Sequence, residues 1–158
     1  IINKFKGLKY RQQIIYKNNK ITFINDSKST SFASTIDILR SLKKVFWLVG
    51  GMGKLGDKFN LNKKECKNIN AYIFGRHKKF FIKQFKNKLP YKSFKDLKSA
   101  VKQVLIDISE NGYSLHRTVL FSPSAASFDS FKNFEERGEH FNLLLKKYKV
   151  KNTINAIK

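Results

Sequence analysis

The chain has 158 residues, one cysteine and a formal net charge of +22, from 33 Lys plus Arg against 11 Asp plus Glu. Its length and 41% apolar content fit one folded domain with a real core and exclude a long disordered chain. The lone Cys66 excludes an internal disulfide framework and fits a reducing, cytoplasmic setting; the longest apolar runs, such as "VFWLVGGM", are far too short for a membrane span.

In chain order, "QQIIYKNNKITFIND" carries two apolar runs flanking Asn18-Asn19, which predicts a β-hairpin. "STSFASTIDILRSL" spaces Phe32, Ile36, Leu39 and Leu42 as one face of a helix, with Ser and Thr available as N-caps. "KVFWLVGG" is a continuous apolar run ending in glycines, as a buried parallel strand would be. A short helix is expected over "LNKKECKNI", then a strand over "AYIFG". "HKKFFIKQFKNK" reads as an amphipathic helix stopped before Pro90. "KDLKSAVKQVLIDISENG" repeats Leu97, Val101, Val104, Leu105 and Ile108 at helical spacing, with Asn111-Gly112 as its stop. "TVLFS" predicts a last strand and "FDSFKNFEERGEHFNLLLKKY" a last helix.

Alternating strands and helices predict an α/β domain, Rossmann-like, with a mostly parallel sheet, helices on both faces and a short N-terminal hairpin. Ligands of such sheets sit beyond the carboxyl ends of the strands. Those ends carry "NDSKST", "GGMGK", "FGRH" and "FSPSAAS". The basic residues are spread through nearly every helix and loop, without a localised stripe or a nucleic-acid motif. Compositional drift accounts for that spread, and a basic α/β nucleic-acid-binding module stands as the alternative.

Three loops carry residues suited to chemistry. "INDSKSTS" delivers Asp26 and Lys28 at a strand end, with Thr30 or Ser31 opening a helix whose N-terminus favours an anion. A plain capped helix with a solvated lysine fits that segment equally well. "GGMGKLGDKF" is no P-loop, because Leu55 follows Lys54 where a magnesium-binding hydroxyl is required. It still presents Lys54 at the sheet edge as a point charge for a carboxylate or phosphate. "FSPSAASFDSFKNFEERG" lets a ligand approach the backbone closely and adds the Ser127 hydroxyl. Its Phe128, Phe131 and Phe134 read as core, and Glu135 and Glu136 as facing water. No G-x-S-x-G elbow exists, and His77, His116 and His140 lack metal-ligand spacing.

Taken in order, "GLKYR", "INDSKSTSFAST", "GGMGK" and "SPSAASFDSFKNFEERG" resemble the C-terminal domain of the Mur ligase family, in its D-glutamate-adding branch. The last string is the most specific, matching a family pattern S-P-A-x-A-S-x-D-x-F-K-N-F-E-x-R-G. Related ligases adding lysine or diaminopimelate lack that ending. The resemblance implies a cytoplasmic, ATP-dependent step of peptidoglycan synthesis: UDP-N-acetylmuramoyl-L-alanine is activated as an acyl phosphate and attacked by the D-glutamate amine. It implies a monomer without membrane or specific nucleic-acid partners.

It further implies that residues 1–11 adjoin a central ATPase domain lying outside this sequence, that 12–150 form the domain and that 151–158 form a tail. The start at Ile1 rather than Met agrees with a piece of a longer protein, inactive alone. ATP and Mg2+ would be held mainly by that central domain, with no metal ligand here. By motif, Thr30, Lys54, Ser127 and Phe134 would hold D-glutamate, Phe134 through its backbone amide. Arg11, Asp26 and Lys28 would reach the nucleotide, and Lys28 and Lys54 would serve catalysis. Tyr10 stands where the family usually has histidine, Met52 where an acidic residue is common, and "SPSAAS" lacks a frequent cysteine.

Overall fold

The computed structural model describes residues 8–111 and 114–155. Its elements are β1 (Gln13–Lys17), β2 (Ile21–Asn25), α1 (Ala33–Ser41), β3 (Val45–Gly50), β4 (Ile69–Phe74), α2 (Lys78–Phe85), β5 (Tyr91–Phe94), α3 (Leu97–Glu110), β6 (Arg117–Phe121), α4 (Phe134–Lys147) and α5 (Val150–Asn155). They build one six-stranded sheet in the order β1-β2-β6-β3-β4-β5. Only the β1–β2 pair is antiparallel; the other pairings are parallel.

The hairpin forms because the Asn18 side chain supplies the turn: its Oδ1 accepts from the Lys20 and Ile21 amides, both at 2.8 Å. The central strands are buried on both sides, so alternate residues feed two cores. Val45, Trp47 and Val49 of β3 pack with α1 and α2, through Phe32, Ile36, Leu39, Phe81 and Phe85. Phe46 and Leu48 face α3 and α4, through Val101, Val104, Phe141 and Leu144. The expected mostly parallel sheet with helices on both faces is therefore present.

Three expectations differ in detail. "LNKKECKNI" is a run of turns, not a helix. Asn62 accepts from the Lys64 and Glu65 amides and Glu65 from the Asn62 amide, the capping box of a helix start, and Cys66 donates to the Asn62 carbonyl at 3.1 Å. The turn goes no further because Lys67 folds back to Lys64 and the chain enters β4 at Ile69. The last helix begins at Phe134 rather than Phe128: Asn133 caps it by accepting from the Glu136 amide at 2.8 Å, and turns precede it. Phe128 is consequently 70% exposed and not core, while Phe131 is half-buried against the α3–α4 core. Strand β5 went unforeseen because it lies at the sheet edge and is mostly exposed, with no apolar pattern.

α3 starts at an Asp96 cap that accepts from the Ser99 amide and ends at Asn111; Gly112, the other half of the expected stop, lies outside the described residues. Inside α3, Asp107 is buried against β4 and β5. Burial alone would raise its pKa, but donation from Lys92, Tyr72 and Gln103 wins and holds it below the ordinary 3.8. A depressed carboxylate stabilises the fold above its unfolded pKa and loses that contribution as pH falls through the folded value. Asp107→Asn is therefore expected to cost about 1 kcal/mol at pH 7, discounted for the half-exposed Lys92. The gap should close in acid, and denaturant titrations showing it constant down to about pH 2 would contradict this.

Candidate functional site

The strand order decides which loops meet. Because β6 returns between β2 and β3, all parallel, the loops leaving their carboxyl ends emerge side by side. These are the segments carrying Asp26, Lys28 and Thr30; Gly51 to Lys54; and Ser122 to Ser127. Two of them are joined directly. Met52 donates to the Ala126 carbonyl at 2.9 Å and Ala126 to that of Met52 at 3.1 Å, a short antiparallel bridge. Met52 acts there through its backbone, with its side chain 41% exposed, so the departure from an acidic residue leaves the pairing intact. Gly51 makes the approach possible at φ +127°: a Cβ there would lie 2.5 Å from the Ala126 carbonyl oxygen.

Asp26 is 5% exposed and bound on three sides. Its carboxylate accepts from the Gln12 amide at 3.0 Å and the Ser122 hydroxyl at 2.7 Å, while its own amide donates to Phe121. Burial pushes its pKa above the usual aspartate value, against those hydrogen bonds and the positive charge of Arg11. Behind it, Ser29, Thr35, Ser122 and Ser124 form a buried hydroxyl network that fastens the first loop to the third. Arg11, Asp26 and Lys28 line one cavity of about 570 Å³ together with Leu8, Gln12, Ser29 and Ser34. Two cations and a carboxylate around such a volume suit a ligand bearing both phosphates and hydroxyls.

The residues expected to hold a dicarboxylic amino acid are spread along the same edge. Thr30 and Lys54 are exposed, and Ser127 is 3% exposed at the head of the turn into α4. Phe134 opens α4, whose N-terminus favours negative charge; Glu135 and Glu136 lie exposed in its first turn. Lys28 stands with its ammonium 3.9 Å from the centre of the Phe134 ring, so the two expected residue sets touch there.

At the start of α1 the arrangement differs from the expected serine or threonine cap. Phe32 occupies the cap position without a side-chain bond, and its amide donates to the Asp57 carboxylate at 2.9 Å. Ser31 still accepts weakly from the Ser34 amide at 3.3 Å. One donor of this helix end is thus already engaged by the loop after β3. Tyr10, in place of histidine, packs its ring onto Gly138 of α4, donates its hydroxyl to Glu139 at 3.1 Å and accepts the Lys28 amide on its carbonyl.

The main residue that sequence reasoning missed is Arg137. It is 0% exposed and donates to the Ser27 carbonyl at 2.7 Å, the Ser27 hydroxyl at 3.2 Å and the Ala125 carbonyl at 2.8 Å. Burial pulls its guanidinium down to about 10, still charged at neutral pH. The signal was available: Arg137, Phe141, Leu144 and Leu145 form the buried stripe of α4, where an arginine needs a polar reason to be. Asp57 carried no comparable signal.

No family model matches the chain. Curated relatives do. The UDP-N-acetylmuramoylalanine–D-glutamate ligase of Wolbachia sp. subsp. Brugia malayi (strain TRS) is 33% identical over 156 residues, 99% of this chain and 31% of that protein. The ligases of the same name from Rickettsia felis and Francisella philomiragia are each 35% identical, covering 93% and 94% of this chain and 32% and 36% of theirs. The chain thus spans about a third of the length of the curated relatives it matches.

Proposed function

Because this chain belongs to the Mur ligase family, we propose that it is the C-terminal domain of an ATP-dependent ligase that joins D-glutamate to UDP-N-acetylmuramoyl-L-alanine through an acyl phosphate in peptidoglycan synthesis. The observation that carries the reading is the convergence of the three strand-end loops at one edge, with the bridge between Met52 and Ala126. A domain built this way brings D-glutamate up to an activated carboxylate and covers the nucleotide. The rate gain comes from positioning an amine against its target.

On this chain, Lys54 gives a full positive charge to a D-glutamate carboxylate, Thr30 and Ser127 give hydroxyl donors, and the Phe134 amide adds a contact at the α4 N-terminus. Asp26 takes a ribose hydroxyl, while Arg11 and Lys28 lie towards the phosphates. The cavity shared by those three residues fits a nucleotide in volume and charge. ATP supplies the phosphoryl group. We assign no magnesium ligand to this chain, and ligation requires the rest of the enzyme. No helix among the described residues is long and apolar enough to cross a membrane. The relatives do not favour the nucleic-acid-binding alternative, and we leave the lysine surface without a specific role.

Ser127→Ala in the full-length enzyme tests the amino-acid side. Loss of one hydroxyl–carboxylate hydrogen bond, about 1.5 kcal/mol or more, should raise the D-glutamate KM at least about 13-fold and leave the ATP KM alone. An unchanged D-glutamate KM would remove Ser127 from the site.

A further inference from the structure

Arg137 is buried at the centre of the ligand edge, not at its surface. One planar group reaches two loops: Nη2 donates to the Ser27 carbonyl beside Asp26 and Lys28, and Nη1 to the Ala125 carbonyl beside Ser127. A third loop closes on it, since a Cβ on Gly51 would lie 3.1 Å from Nη1. A relay extends to the helix start: Nε donates to the Ser27 hydroxyl, which donates in turn to the Phe134 carbonyl at 2.8 Å. Among the described residues no salt bridge neutralises the guanidinium, although Asp129 acts on it electrostatically. Asp129 Oδ2 is itself buried without a hydrogen-bond partner.

Burying a charge on two carbonyls and a hydroxyl, with no carboxylate hydrogen-bonded to it, is expensive, and a hydrophobic residue would fill this position of the α4 stripe at lower cost. What a hydrophobic residue lacks is the rigid fork. Arginine directs several donors from one plane, whereas lysine offers a compact point charge on a flexible stem. The geometry points to Arg137 as a positioning residue that holds the nucleotide side and the D-glutamate side of the edge in one register. It touches neither ligand. It fixes the backbone from which Asp26, Lys28, Ser127 and Phe134 project, so one substitution perturbs two binding sites together. The inference rests on the D-glutamate ligase reading above.

The test is Arg137→Lys in the full-length ligase, with KM measured for each of the three substrates and the folded fraction followed by circular dichroism. The KM values for ATP and D-glutamate should both rise about tenfold, while that for the UDP-sugar stays unchanged. A loss confined to the folded fraction, with all three KM values unaltered, would make Arg137 merely structural and overturn the inference. If Arg137→Lys does not fold, Ser27→Ala serves instead, because it removes the hydroxyl relay and keeps both carbonyl bonds. It should raise the same two KM values about threefold, and unchanged values again overturn the inference. Ser127→Ala separates the two ideas. If it raises the D-glutamate KM while Arg137→Lys and Ser27→Ala do not, the positioning role falls and the ligase reading stands. If none of the three moves the D-glutamate KM, the D-glutamate site itself is misassigned.

Discussion

Phe32→Ala is expected to destabilise the domain by about 3–5 kcal/mol, the cost of emptying a fully buried aromatic position. Phe32 is 0% exposed, and its ring lies within 5.5–6.5 Å, centre to centre, of Trp47, Phe59, Phe80, Phe81 and Phe85. Those partners come from β3, the loop after it and α2, so the ring joins elements far apart in sequence. No neighbouring side chain can collapse into a space bounded by five other rings without breaking their stacked, tilted and edge-to-face contacts. The effect extends to the edge, because the Phe32 amide is the donor held by Asp57, two residues beyond Thr30. Urea unfolding monitored by Trp47 fluorescence reads the loss directly. A change under about 1 kcal/mol would mean that this core is not packed as described.

Lys54→Ala is expected to have the opposite profile, with normal folding and impaired binding. The side chain is exposed on the loop after β3, so its removal leaves the core untouched. A charge-assisted hydrogen bond to a carboxylate contributes about 1.5–3 kcal/mol, which converts to a rise in D-glutamate KM of roughly 13- to 150-fold. Arg in its place should restore part of the affinity, since the charge returns with a different reach. Steady-state kinetics with D-glutamate varied at saturating ATP and UDP-sugar check this. Equal KM values for the variant and the parent would detach Lys54 from the amino-acid site.

Much of this was legible because the signals were strong and local. The apolar runs of β3, β4 and β6 and the helical spacing of Phe32, Ile36 and Leu39 read directly as buried strands and a helix face. The Asn18-Asn19 turn and the helix end at Asn111 were likewise marked by their residue types, whereas the Asp96 cap emerged only with the fold. The failures have physical causes. β5 is an exposed edge strand stabilised by backbone pairing with β4, which leaves no periodic trace in "YKSF". The "NKKECK" stretch has helical composition and a capping box from Asn62 and Glu65, yet β4 begins at Ile69 and leaves room for a single turn. Phe128 matched a stripe that the Asn133 cap then excluded from the helix.

At the edge, the loops themselves could be named from the strand ends. Their convergence could not, because it depends on β6 inserting between β2 and β3, a long-range pairing that no local pattern encodes. Arg137 shows the same limit. Its place on the α4 stripe could be counted from the sequence, but the carbonyls of Ser27 and Ala125 that receive it exist only once the sheet is assembled.

The most direct measurement is phosphate release by the full-length enzyme carrying this domain, supplied with ATP and UDP-N-acetylmuramoyl-L-alanine and challenged with one amino acid at a time. D-glutamate should drive turnover, with L-glutamate, L-lysine and diaminopimelate giving little above background. Turnover driven by one of the diamino acids, with D-glutamate inert, would contradict the assignment of Lys54, Ser127 and Phe134 to a D-glutamate site.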